Sequence, residues 1–148
     1  LEHTRQVIGN TPIAIDYTFH PRPLGLAKLL LTHGFNVETV YLDSISPEEK
    51  EAFAWLKEKK PELELRSTVH AKMRLLHEEH ATNKILAIGQ KAAWFTGSSY
   101  FVNLVQGAGL QGFDGIRRTA ELMEEAFLEE KDPKTLIVKK GWGCTSCI

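Results

Sequence analysis

The side chains with the clearest capacity for chemistry gather where short turns follow apolar runs. His20-Pro21-Arg22 precedes a helical stretch, and a guanidinium beside a helix N-terminus suits a carboxylate or a reduced, anionic cofactor. The plainer alternative is that Pro21 and Pro23 only shape the helix start, while His20 and Arg22 face water. Gln90 and Lys91 follow the apolar run Ile85-Leu86-Ala87-Ile88-Gly89, where lysine supplies a compact cation or simply an exposed one. Gln106, Gly107, Gly109, Gln111 and Gly112 form a loop able to bring backbone amides near a ligand, since glycine has no Cβ to hold it off. Asp114, just beyond, is expected to cap the last helix. The loop does not match a dinucleotide G-x-G-x-x-G fingerprint, because an early strand–glycine–helix unit is missing.

Two further groups have metal-ligand character. Cys144-Thr145-Ser146-Cys147 is a C-x-x-C pair, the form taken by reactive dithiols and by half of a metal site. Two thiolates leave a zinc or iron–sulfur centre short of two ligands, and a tail pair without a role competes with Cys144 and Cys147 as metal ligands. His77 and His80 share a helical face at i and i+3, with His70 a turn or two away. Glu78 and Glu79 between them mark a solvated surface, and no third ligand has usable spacing.

The elements that must position these residues alternate. Strands are expected at 12–17, 37–42, 63–69, 85–88 and 100–105, the third alternating as a half-exposed edge strand. Helices are expected at 23–33, 46–60, 70–81, 90–97 and 113–130. Gly34 and Pro61 act as stops, and Ser46-Pro47-Glu48-Glu49 acts as a start signal. This order predicts an α/β fold of three layers, α/β/α, with a mainly parallel sheet of four to five strands, Rossmann-like and doubly wound. Residues 1–11 read as a lead-in segment, 12–131 as the domain and 132–148 as a tail. Ligands of such sheets lie beyond the carboxyl ends of the strands, which selects the loops 18–23, 89–92 and 106–112.

Composition narrows the function classes. With 148 residues, one domain with a proper core is expected, and a formal net charge of −1 leaves no footprint for nucleic acid or an anionic membrane. No apolar run approaches the roughly 20 residues that span a bilayer, and no signal-peptide pattern opens the chain. With cysteines only at 144 and 147, the expected compartment is cytoplasmic. The first residue is Leu, so the chain is expected to be a processed product or an excised segment.

Gly112-Phe113-Asp114-Gly115 resembles the G-[FY]-D-G motif of nitrogenase component-1 proteins. Phe19-His20-Pro21-Arg22, Gly34-Phe35 and Ile85 to Lys91 resemble the same family in order and spacing, over about residues 12–130. The resemblance implies the C-terminal α/β domain of a nitrogenase-like subunit, an oxidoreductase whose full-length parent carries an iron–sulfur cluster or related metallocofactor. It implies as partners the remaining domains of the parent subunit, a partner component-1 subunit and an ATP-dependent iron–sulfur reductase. It also implies that His20, Arg22, Gln90, Lys91, Gln106, Gly107, Gln111 and Gly112 face the cofactor, and that Lys91 meets an organic acid there. The family's cluster cysteines lie in a first domain absent here, so tight cofactor binding or activity by this fragment alone is not expected.

The chain also departs from the molybdenum-nitrogenase pattern. Val102 or a neighbour stands where that pattern has a cofactor-ligating histidine, and no histidine follows His80. A divergent nitrogenase-like reductase is therefore expected. The alternative is a scaffold for cofactor assembly, or a metal- or tetrapyrrole-binding module without turnover.

Overall fold

Pro12-Ile13-Ala14-Ile15-Asp16 is apolar on both faces of an extended chain, as a strand covered on both sides must be. It forms β1 (Pro12–Asp16), the central strand of a five-stranded, all-parallel sheet. The computed structural model describes residues 1–74, 81–105 and 110–133. β2 (Asn36–Tyr41) and β3 (Glu64–Arg66) extend the sheet on one side of β1. β4 (Leu86–Ile88) and β5 (Tyr100–Val102) extend it on the other, giving the order β3-β2-β1-β4-β5. The chain thus reverses direction after β3, the doubly wound Rossmann-like arrangement, and the switch point lies between β1 and β4. Ile13, Ala14 and Ile15 register against Leu86, Ala87 and Ile88 across that seam.

Helices cover both faces. α2 (Pro23–Thr32), α3 (Lys50–Lys59) and α5 (Gly112–Leu128) pack Leu24, Leu30, Leu56 and Met123 with Ile13, Ile15, Val40 and Ile88. α4 (Gln90–Thr96) covers the opposite face, where Ala92, Ala93 and Phe95 meet Ala14, Tyr41, Ala87 and Phe101. Each large apolar side chain buried in this way stabilises the fold by about 1.5–3 kcal/mol relative to exposure. Among the described residues, no helix is long and apolar enough to cross a membrane.

Several expected boundaries shift. The lead-in segment contains a helix, α1 (Glu2–Ile8), lying against α5 with Thr4 and Ile8 buried. At this length local propensity cannot sustain a helix, so its amphipathic face is held by tertiary packing. The third and fifth strands are shorter than 63–69 and 100–105, since pairing with β2 and β4 covers Glu64–Arg66 and Tyr100–Val102. The helix expected from Ser46 begins as a 3-10 turn, Pro47–Glu49, before α3, and the Ser46 side chain makes no cap bond. Of the helix expected at 70–81, a 3-10 turn occupies Ala71–Arg74, and 75–80 lie outside the described residues.

Candidate functional site

Because all five strands are parallel, their carboxyl ends deliver the following residues to one edge. β1 ends at Asp16, which is completely buried, and its carboxylate draws together two loops. Oδ1 accepts the backbone N–H of Thr18 at 2.7 Å and of Phe19 at 3.2 Å, together with the Thr18 hydroxyl. Oδ2 accepts the N–H of Ala92, in the first turn of α4, at 2.7 Å. Such closeness requires Gly89, whose φ is +116° and whose Cβ, if present, would stand 2.3 Å from Asp16 Oδ2. Burial raises the Asp16 carboxyl above the ordinary range, against the pull of these hydrogen bonds.

A second cluster sits beside it. Asp43, beyond β2, accepts the N–H and hydroxyl of Thr68, beyond β3, at 2.9 and 2.7 Å. The Lys91 ammonium donates to the Tyr17 hydroxyl and to Thr68 Oγ1 at 3.2 Å, and lies 4.1 Å from the centroid of the Tyr17 ring. Tyr17 is in turn hydrogen-bonded to Asp43. Burial lowers the Lys91 ammonium from its ordinary value, with the charges of Asp43 and Asp16 opposing. For Asp43 burial pushes upward, but the hydrogen bonds of Thr68 and Tyr17 and the charge of Lys91 outweigh it, and the carboxyl titrates low. The Tyr17 phenol is raised, mainly by burial. Residues following four different strands thus converge on a phenol held between an ammonium and a carboxylate. Such a group can polarise or protonate a bound oxygen or nitrogen, with Lys91 as a charge for an anionic substituent.

The expected site residues are not brought together in one place. Lys91 belongs to the network; Gln90 reaches sideways, its Nε2 donating to Asn103 Oδ1 at 2.6 Å, and so ties α4 to the end of β5. His20, Arg22 and Gly112 line a cleft of about 290 Å³ between α2 and α5. The α2 N-terminus itself is not open to a ligand. Buried Glu49 turns inward and accepts the N–H groups of Leu24 and Gly25 at 2.7 and 3.1 Å, supplying the anion expected from outside. Gln111 caps α5 through its backbone carbonyl, without a side-chain bond.

The glycines of Gly112-Phe113-Asp114-Gly115 have backbone reasons. Gly112 adopts φ +61°, and a Cβ on Gly115 would stand 2.3 Å from the carbonyl carbon of Leu110. Phe113 is 91% exposed, and Asp114 caps nothing but pairs with Arg117 at 3.6 Å on the surface. Gln106, Gly107, Gly109, His77, His80, Cys144 and Cys147 lie outside the described residues. His70 is exposed and accepts the Lys72 N–H. Among the described residues no group of three or more His, Cys, Asp or Glu side chains is placed to hold a metal.

Asp16, Tyr17, Asp43 and Thr68 were not singled out from sequence. Their signal was available in their placement, since each lies at or just beyond the carboxyl end of a strand of the parallel sheet. No protein-family model, curated protein or solved structure matches the chain.

Proposed function

We propose that this chain is one wall of a cofactor or substrate pocket in a nitrogenase-component-1-type oxidoreductase, inactive by itself. The supporting observation is the Tyr17–Lys91–Asp43–Thr68 network on the carboxyl edge beside the β1/β4 switch point, where doubly wound sheets receive ligands. The motif resemblance supplies the family and the network supplies a surface suited to the task. Partner domains and a second component-1 subunit close the pocket in this reading, and an ATP-dependent iron–sulfur reductase delivers electrons.

The described residues do not fit a ligand set for the implied iron–sulfur cluster or related metallocofactor, because they bring no trio of suitable donors together. Asp16, the most buried carboxylate, is already saturated by donors on both oxygens. This domain's part is therefore charge and proton management: Lys91 faces an anionic group, and Tyr17 offers a proton. The same donor set also favours a second reading, a cofactor-assembly scaffold or a metal- or tetrapyrrole-binding module without turnover.

The test is anaerobic reconstitution of the full-length parent with iron and sulfide, followed by spectroscopy and ATP-dependent electron uptake from the reductase. A cluster with electron uptake supports the enzyme, and a bound cofactor without uptake supports the scaffold. Absence of both overturns the family reading. In an active parent, Tyr17→Phe should lower kcat about 10²–10⁴-fold at unchanged cluster content, the range for a positioned proton-transfer group.

A further inference from the structure

The cleft between α2 and α5 is independent of the polar network and has its own chemical character. Its walls are apolar, with Phe19, Leu26, Leu29, Leu30, Leu110 and Ile116 contributing most of the lining. Thr119 also lines it, but its hydroxyl donates to the Gly115 carbonyl at 2.8 Å within its own helix. Among the described residues no carboxylate side chain lines the cleft, and its ionisable side chains are His20 and Arg22, beside one another at the start of α2. Glu48 interacts with Arg22 from outside the lining.

The histidine's orientation fixes what it presents. His20 Nδ1 accepts the backbone N–H of Arg22 at 3.1 Å, so a neutral ring carries its proton on Nε2. His20 Nε2–H and the Arg22 guanidinium are then both donors, and a donor-only end calls for an acceptor with negative charge. Space is left for the remainder of a ligand. Gly25 and Gly112 both line the cleft; among the described residues a Cβ on Gly25 would meet only the Arg22 Cβ at 3.8 Å, and one on Gly112 would meet nothing within 4 Å. A volume of about 290 Å³ is at the lower end of small-molecule sites.

We propose that this cleft binds a small amphipathic carboxylate, its head group on His20 and Arg22 and its hydrocarbon tail along Leu26, Leu29 and Ile116. The proposal does not rest on the oxidoreductase reading, because the cleft and its binding assay belong to this chain alone.

Octanoate, hexanoate and octylamine are the probes, titrated into the 148-residue chain and followed by amide chemical shifts and calorimetry. Octanoate should shift Gly25, Gly115 and Ile116 saturably and bind about 15-fold tighter than hexanoate, because each of its two extra buried methylenes contributes about fourfold. Octylamine should bind at least tenfold more weakly. Arg22→Gln should weaken octanoate about tenfold by removing a charged hydrogen bond. Gly25→Leu should abolish binding by filling the space, with helicity and urea midpoint showing that the fold is intact. Should Gly25→Leu not fold, Gly25→Ala and Arg22→Gln decide the matter, since neither places bulk in the core. Equal binding of octylamine, unaltered affinity in a folded Gly25→Leu or Arg22→Gln protein, or shifts confined to another face would overturn the assignment.

Discussion

Replacing Gly89 by alanine tests whether the Asp16–α4 junction organises the carboxyl edge. The added methyl carbon would stand 2.3–2.5 Å from all three atoms of the Asp16 carboxylate, far inside van der Waals contact. A φ of +116° is also outside the regions that an L-residue normally adopts, a strain of about 1–3 kcal/mol. Asp16 must then move, and losing its bond to the Ala92 N–H removes about 1.5–3 kcal/mol more. The sum, about 2.5–6 kcal/mol, is a large fraction of the roughly 5–15 kcal/mol that stabilises a typical domain.

Urea unfolding followed by circular dichroism reads this directly, as a fall in midpoint at unchanged slope. A second measurement isolates the cause. In an Asp16→Ala background the carboxylate is gone, so Gly89→Ala should express only the backbone strain of about 1–3 kcal/mol. The two substitutions should therefore be non-additive. A Gly89→Ala protein within about 1 kcal/mol of the parent, or additivity within about 0.5 kcal/mol, would refute the reasoning.

Other outcomes follow from the same geometry. Asp43 is held below its ordinary value of 3.8, so its contribution to stability is present above that pH and is lost as pH falls through the folded value. Asp16 is raised above 3.8, so its contribution is present below that pH and is lost as pH rises through the folded value. Carboxyl ¹³C titration should place the two on opposite sides of 3.8, and Asp43→Asn should flatten the acid limb of the stability profile. Glu49→Ala should lower stability by about 2–4 kcal/mol in urea, because it leaves two α2 amides without their buried acceptor; Glu49→Gln should retain much of it. Within Gly112-Phe113-Asp114-Gly115, Gly115→Ala should destabilise by about 1–3 kcal/mol or more through overlap with Leu110. Phe113→Ser should stay within about 0.5 kcal/mol, and a larger thermal shift for Phe113→Ser would assign that ring a structural role.

The architecture was legible because apolar runs and punctuation agreed. Ile13, Ile15, Leu86 and Ile88 marked buried parallel strands, while Pro23, Gly34 and Pro61 marked the helix limits. α1 was hidden because seven residues show too little periodicity, and its hold is Thr4 and Ile8 against a helix over a hundred positions later. The candidate site was only half legible. Lys91 and the carboxyl edge were found, but Asp16, Tyr17, Asp43 and Thr68 share no local motif and meet only through strand order. Glu49 belongs to the start signal Ser46-Pro47-Glu48-Glu49, and nothing local indicates that it caps another element 24–25 positions earlier.

The Asp16–Ala92 bond spans 76 residues, which gives the molecule a timetable as well as a shape. At roughly 5–20 residues per second of synthesis, β1 waits roughly 4–15 s for the residues that complete its second edge. Through that interval Asp16 is a hydrated carboxylate, and the side of β1 destined for β4 is an open template for any passing strand. A strand that pairs there without bringing Gly89 and its helix must bury Asp16 with fewer donors, a penalty that the native pairing avoids.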